Sequence, residues 1–443
     1  MHGTSTPNSL NSTGARVAAF RKTESKAYPA STMDAAISKL QFHARQNTRA
    51  VTSVACFLLV LLILTSDTVR DLGPPSLRGS SSSNDMDPHW GGAVNPGYFS
   101  IEDSYVTPPS VRSGKTVFHF TAVSDMDQLS KVEGAKKPTW HSLALPGILT
   151  RTGTKEYSIT FHEHRSLETQ HNEAGRGAEF SELTIYKGRL LTFDDRTGDV
   201  FEVLSDREEA GKSVVVPRFI ITEGDGETGK GMKWEWATVK DDQLYMGSMG
   251  KEYTNEAGEI LNENNLWIGR LNAKGQLSRE NWKEKYNFVR EALGAAAPGY
   301  LIHEAILWSE QMKKWVFLPR RISDQQYDEN EDERKGGTKA VLVNDSFTKA
   351  DVVEIALEKD PLRGFSSFAF VPGTQDHHAI AIRSVEENCT GDLDVCKQRS
   401  YFVVFDVTTG EVLSDEVQYS EEFKFEGIEF AKLDTKPPVS STT

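Results

Sequence analysis

Residues 300–308 read YLIHEAILW. All positions except His303 and Glu304 are apolar or aromatic, the texture of a segment buried on both faces. An isolated buried carboxylate is costly and is normally paired, protonated or bound to a metal, so Glu304 in the middle of this run needs a partner. The same combination recurs along the chain. EFSELTIYKGRLLTFD, KWEWATVKDDQLYMG, LIHEAILWSEQMKKWVFL, GFSSFAFVPGTQDHHAIAI and KFEGIEF each open with a bulky apolar residue beside a Ser or Glu and run on as an apolar strand. All but the last, shorter stretch turn into a second strand. The repeated polar positions are Ser181, Glu235, Glu304, Ser366 and Glu426, separated by 54, 69, 62 and 60 residues.

A period near 60 with one strand meander per period is the mark of a radial repeat of four-stranded blades. Between the repeats lie further short β-rich runs closed by Gly-containing turns, such as KTVFHFTAV and SYFVVFDVTTGEVL. Helical periodicity is scarce and clearest in ENWKEKYNFVREAL at 280–293. The expected fold is all-β, a five-bladed β-propeller over 114–432. Its inner strands would line one channel and bring the five repeated positions together. Three carboxylates and two hydroxyls converging there call for a cation, and an all-oxygen, several-ligand ring selects Ca²⁺ over zinc or magnesium. The alternative, that such residues cap strand ends or bond neighbouring blades, suits one position better than five in register.

With 443 residues, 38% hydrophobic and 26% charged, the chain can bury a large core. A formal charge of −14 with no basic stripe argues against nucleic acid as a partner and suits a protein that collects cations. Residues 1–49 are rich in Ser, Thr, Asn, Lys and Arg without an apolar period, so a disordered tail is expected. Residues 50–66, AVTSVACFLLVLLILTS, carry no charge and reach the lower limit for a bilayer span. An uncleaved anchor is favoured over a cleaved signal peptide, because the segment lies far from the start and TSDTVRDLG is a poor cleavage site. Lys39, Arg45 and Arg49 precede it, and Asp67 and Asp71 dilute the positive charge after it. That asymmetry predicts a single-pass type II membrane protein with a cytosolic tail and a lumenal domain. Residues 67–113, with GPPS, RGSSSSND and VTPPS, read as a linker, and 433–443 as a second disordered tail. Cys389 and Cys396 are spaced to close a small loop in an oxidising lumen, with two free thiols as the alternative. Asn344 and Asn388 open glycosylation sequons.

EFSEL, DDRTG, KWEWATVKD, GKEY, PGYLIHE, FLPRR, DERKG, GFSSF and FEGIEF together resemble the soluble calcium-activated nucleotidase (apyrase) family, which includes Golgi and ER nucleoside diphosphatases and salivary apyrases of blood-feeding insects. The resemblance runs in order over about 114–430. It implies one Ca²⁺ in the channel of a five-bladed propeller, held by Ser181, Glu235, Glu304, Ser366 and Glu426, and hydrolysis of nucleoside di- and triphosphates to the monophosphate and phosphate.

Such chemistry needs phosphate charge neutralised, a water oriented and its proton accepted. Arg320 and Arg321 in FLPRR, Arg196 in DDRTG and Lys251 in GKEY are the candidate cations, each of which could also be an ordinary surface charge. Asp125, Asp127, Glu179 and Asp195 are the candidate acids at the channel mouth. Glu179 lies two residues before Ser181 and so on the same face of a strand. Asp194 reads equally well as a turn residue. The run GDGETGKG at 224–231 lacks the order of a phosphate-binding P-loop, but its Asp225 is a candidate nucleotide contact. His162, Glu163 and His164 stand where the family tends to be Asp-rich.

Two other readings fit a propeller with an acidic channel: a glycoside hydrolase with paired carboxylates, and a catalytically inactive lumenal binding module in which calcium is structural. The expected setting is the Golgi or ER membrane, where a diphosphatase would clear the UDP or GDP released by glycosylation. A cleaved segment would instead give a secreted apyrase, and a homodimer is left open.

Overall fold

The structure, a computed structural model, describes residues 114–206, 212–390 and 395–433, with two short pieces at 98–99 and 109–112. The expected tail, anchor and most of the linker lie outside the described residues, as does the C-terminal tail beyond Leu433. Among the described residues, no helix is long and apolar enough to cross a membrane.

Five antiparallel sheets form the blades of a β-propeller. Blade I starts with the inner strand Phe180–Tyr186 and continues through Arg189–Asp194, Asp199–Asp206 and Ser213–Ile220. Blade II runs Trp236–Lys240, Gln243–Gly247, Trp267–Leu271 and Leu277–Asn281. Blade III runs Tyr300–Ser309, Lys314–Ser323, Lys339–Asn344 and Ala350–Glu354, and blade IV runs Gly364–Phe370, His378–Thr390, Val395–Asp406 and Val417–Gln418. Blade V is assembled from both ends of the domain. Its inner strand is Lys424–Glu429, paired with Lys115–Asp125, then Trp140–Thr152, with Glu156–Phe161 and Arg165–Thr169 on the outside. The strand around 117–123 therefore closes the ring and 156–161 covers its outer edge. Two short strands from the expected linker, Tyr98–Phe99 and Ser110–Arg112, add to blades I and V.

The core explains why the inner strands lack clean alternation. Five clusters of buried apolar side chains each sit between two neighbouring blades, so most strands are covered on both faces. The cluster between blades II and III is the most aromatic. Trp282 lies with its ring 5.0 Å from Trp315 and 5.4 Å from Trp236, just before the helix Lys283–Ala292. His303 belongs to this cluster rather than to the channel: it stacks on Tyr286 at 5.5 Å, and burial pushes its pKa down to about 3.

Each inner strand packs against the inner strand of the next blade. Trp282→Ala should cost about 3–5 kcal/mol, because the void would be lined by rings held from three sides. Denaturant unfolding checks this, and a loss below about 1 kcal/mol would contradict the packing account.

Candidate functional site

The inner strands do not run as uninterrupted ladders. In blade I Phe180 pairs with Asp194 and Glu182 with Phe193, so Ser181 is skipped. The ladder likewise skips Ser366 between Phe365 and Ser367, and Glu426 between Phe425 and Gly427. In blade III it breaks between His303 and Ile306, across Glu304. A β-bulge re-aims the extra side chain and leaves its backbone groups outside the ladder. In blade II, Glu235 stands just before the inner strand, its N–H donating to Gly247 O at 2.9 Å.

Carboxylate oxygens of Glu235, Glu304 and Glu426 all lie within 4.8 Å of one another, and all three residues are buried. Ser181 and Ser366 are wholly buried; Ser366 Oγ donates to Phe425 O at 3.0 Å, while Ser181 Oγ has no hydrogen-bond partner among the described residues. A second acidic group, Asp125, Asp127 and Glu179, is equally close-set.

Basic side chains are threaded among these acids. Arg320 donates to Glu304 at 2.5 Å, Glu426 at 2.8 Å and Glu386 at 2.5 Å. Lys424 reaches Asp125 and Glu386 at 2.8 Å and Asp127 at 3.2 Å. Lys233 bridges Asp195 and Glu235, the latter at 2.8 Å. Arg176 grips both oxygens of Glu179.

The acids respond differently to this environment. Burial drives Glu235 up to about 8 against the pull of Lys233, with Glu304 adding to the rise. Glu426 is pushed well above its usual range by burial, with Glu304 and Asp125 adding to the effect against Lys424. Burial and the neighbouring Asp195 bring Glu179 to about 9, and burial and Asp125 bring Asp127 to about 7. Burial also disfavours the Asp125 anion, but Lys424 outweighs it and holds the group below its usual range. Glu235 and Glu426 resist ionisation despite Lys233, Arg320 and Lys424 nearby, and an all-oxygen group of buried carboxylates of this kind fits an oxygen-seeking divalent cation.

A cavity of about 650 Å³ opens beside this network, lined among others by Asp127, Arg176, Arg321, Tyr327 and Glu386. The Cys389–Cys396 disulfide, at the tip of the long blade IV hairpin, forms part of its wall.

Residues 126–431 match the family model described as Apyrase. The chain is 37% identical to Soluble calcium-activated nucleotidase 1 of Rattus norvegicus over 74% of its own length and 77% of that protein's. It is 32% identical to an apyrase of Cimex lectularius, over 86% of this chain and 96% of the relative. Apyrase apy-1 of Caenorhabditis elegans is 36% identical over 72% and 85% of the two chains. The chain belongs to the apyrase family.

Within this apyrase framework the structure sorts the sequence candidates. Glu235, Glu304 and Glu426 come together, as do Asp125, Asp127 and Glu179; Asp195 is joined to the first group through Lys233, Arg320 is ion-paired to it and Arg321 lines the cavity, while Ser181 and Ser366 are buried at breaks in their ladders. Arg320 spends all its described bonds on carboxylates, which makes it their counter-charge rather than a free clamp for phosphate. Asp194 is a turn residue, accepting from the N–H groups of Arg196, Thr197 and Ala178. Arg196 lies near Glu173 at 3.3 Å, and exposed Asp225 acts on Arg279; neither shows a described contact with a channel group. Lys251 is buried under the Tyr327 ring, 4.0 Å from its centroid, and bonded to Thr254 Oγ1 at 2.8 Å. Burial pushes it down to about 8.

Sequence reasoning missed Arg176, Lys233, Glu386 and Lys424. Lys233 and Lys424 lie two residues before Glu235 and Glu426, the same offset that singled out Glu179. Arg176 and Glu386 carry no such signal, because they come from a loop and from a second strand.

The folded chain holds the Glu235 proton up to about pH 8, against 4.5 for an ordinary glutamate. The folded state therefore binds more protons across that window, and without a cation this group's contribution to stability falls as pH rises through it. A divalent cation must displace the proton. Its affinity should climb between about pH 6 and 8, by up to about tenfold per unit for each proton displaced. Calorimetric titration at several pH values checks this, and an affinity independent of pH would refute it.

Proposed function

We propose that this protein hydrolyses nucleoside diphosphates and triphosphates to the monophosphate and phosphate in a calcium-dependent reaction. The observation that carries the reading is the convergence of the buried Glu235, Glu304 and Glu426 carboxylates, joined through Arg320 and Glu386 to a cavity lined by both acids and arginines. The names of its relatives, which include calcium activation and apyrase activity, support it.

In this reading the phosphates enter the cavity toward the ring and the nucleoside extends past Tyr327. Calcium held by the five ring residues would supply fixed positive charge to phosphate oxygens. Arg321, buried and beside Asp332 at 3.6 Å, offers its guanidinium to the same oxygens. Arg176, which also lines the cavity, does so while holding Glu179.

Asp127 is the residue for taking the proton of the attacking water. It lines the cavity, its pKa of about 7 suits transfer at neutral pH, and its N–H is tied to Asp125 Oδ1 at 2.8 Å. Asp127 also sits in the left-handed region at φ 48°, which an aspartate tolerates, and its carboxylate accepts from Lys424 at 3.2 Å. Asp125, held ionised by Lys424, keeps the pair from sharing the same role.

We further infer that the uncharged 50–66 segment anchors the domain on the lumenal side of the Golgi or ER membrane, where the enzyme would convert nucleoside diphosphates released by glycosyl transfer. Protease protection of the propeller in intact vesicles tests the orientation, and digestion without detergent would refute it.

The decisive assay is phosphate release from UDP, GDP, ADP, ATP and UMP with calcium, magnesium or chelator. Release should need calcium, occur with di- and triphosphates and not with UMP, and vanish in Glu304→Gln. No release from any nucleotide by a folded protein that binds calcium would refute the reading. Asp127→Asn should lower kcat by about 10²–10⁴-fold and remove the rise in rate through about pH 7. An unchanged pH–rate profile would remove Asp127 from the role.

A further inference from the structure

Next to Ser181 in the chain lies a buried carboxyl group that the proposed chemistry does not use. Glu182 follows Ser181 directly and is 2% exposed. Its Oε1 accepts from the Leu183 N–H at 2.8 Å and from Ser367 Oγ of blade IV at 3.0 Å. The backbone of Ala237 in blade II also approaches this carboxyl group. Ser367 Oγ in turn accepts from the Ile428 N–H of blade V at 3.3 Å. Blade V's backbone runs tightly past: a Cβ on Gly427 would stand 2.6 Å from Glu182 Cα and 2.5 Å from its carbonyl carbon.

These contacts have a common physical origin. The inner strand of every blade is a sheet edge, so its inward N–H groups lack a strand partner and must be satisfied by something else. Glu182 and Ser367 satisfy two of them, at Leu183 and Ile428, and Glu182 stands close to a third at Ala237. Every tie also lands one or two residues from a ring position. Glu182 follows Ser181, Ser367 follows Ser366, Ala237 lies two past Glu235, and Ile428 two past Glu426.

We propose that Glu182, acting with Ser367, is the positioning residue that fixes the spacing of the cation ligands in blades I, II, IV and V. The inference rests on the calcium reading of the ring. Without this tie fewer hydrogen bonds join these four ligand-bearing segments, that from Ser366 Oγ to Phe425 O among those that remain, and binding the cation must then order them further. Groups that orient metal ligands through hydrogen bonds typically change metal affinity when removed.

The test is calorimetric titration of the purified full-length protein with calcium, beside thermal unfolding in chelator. Glu182→Ala should weaken calcium binding about tenfold or more, and Ser367→Ala, which removes one arm, about fivefold. Glu182→Gln, which keeps Oε1 as an acceptor, should stay within about threefold of the unsubstituted protein. A lowered melting temperature with unchanged calcium affinity would overturn the proposal, since a merely structural contact behaves that way. A Gln variant as weak as the Ala variant would also overturn it, by assigning the effect to charge. If Glu182→Ala does not fold, Ser367→Ala decides, and calcium affinity unchanged in that variant refutes the tie. An unsubstituted protein that binds calcium but releases no phosphate would end the nucleotidase reading and leave this proposal to the variants. Absence of calcium binding would overturn both.

Discussion

Mutual repulsion of carboxylates on the propeller axis is the constraint around which this molecule is built. Like charges about 5 Å apart repel by about 3 kcal/mol per pair at an effective dielectric near 20, so Glu235, Glu304 and Glu426 cannot be held together by packing alone. The fold meets that demand with basic side chains from different sources. Lys233 comes from the approach to blade II, Arg320 from the second strand of blade III, and Lys424 from the first position of the closing strand. Removing any one would leave acids buried without compensation, a more damaging change than losing an exposed ion pair.

Ring closure and chemistry are joined at one point. Lys424 and Asp125 are direct partners in the ladder between the last inner strand and the first strand of the domain. Their side chains meet at 2.8 Å. The contact that seals the propeller is thus also the contact that keeps Asp125 ionised beside Asp127. The five interblade clusters supply the rigidity on which this depends, since each blade is clamped on both faces by its neighbours.

The ring and the cavity mouth are tied by different groups. Around the ring, inward N–H groups are caught by Glu182, by Ser367 and, between blades II and III, by Thr238 Oγ1, which accepts from the Trp308 N–H at 3.0 Å. At the mouth, the blade IV hairpin and the loop that carries Tyr327 meet through a bond from the Asn388 N–H to Glu333 at 3.1 Å. Lys251 illustrates what such loops change: its motif suggests a phosphate contact, yet Tyr327 lies over its ammonium group.

Much of the site was legible in the chain because a propeller repeats. Five polar positions at a spacing near 60 residues, each beside an apolar strand, identify the blades and the ring together, since equivalent inner-strand positions must converge on one axis. Period-2 reasoning reaches Glu179, and the same step reaches Lys233 and Lys424. The sequence could not show that Ser181, Glu304, Ser366 and Glu426 stand at breaks in their ladders, because a bulge depends on the pairing of two strands. Nor could it place Arg176 and Glu386, or bury Lys251 beneath a ring 76 residues away. Local pattern determines which residues face inward. Which charges then neutralise one another depends on distances between blades, and those exist only once the ring has closed.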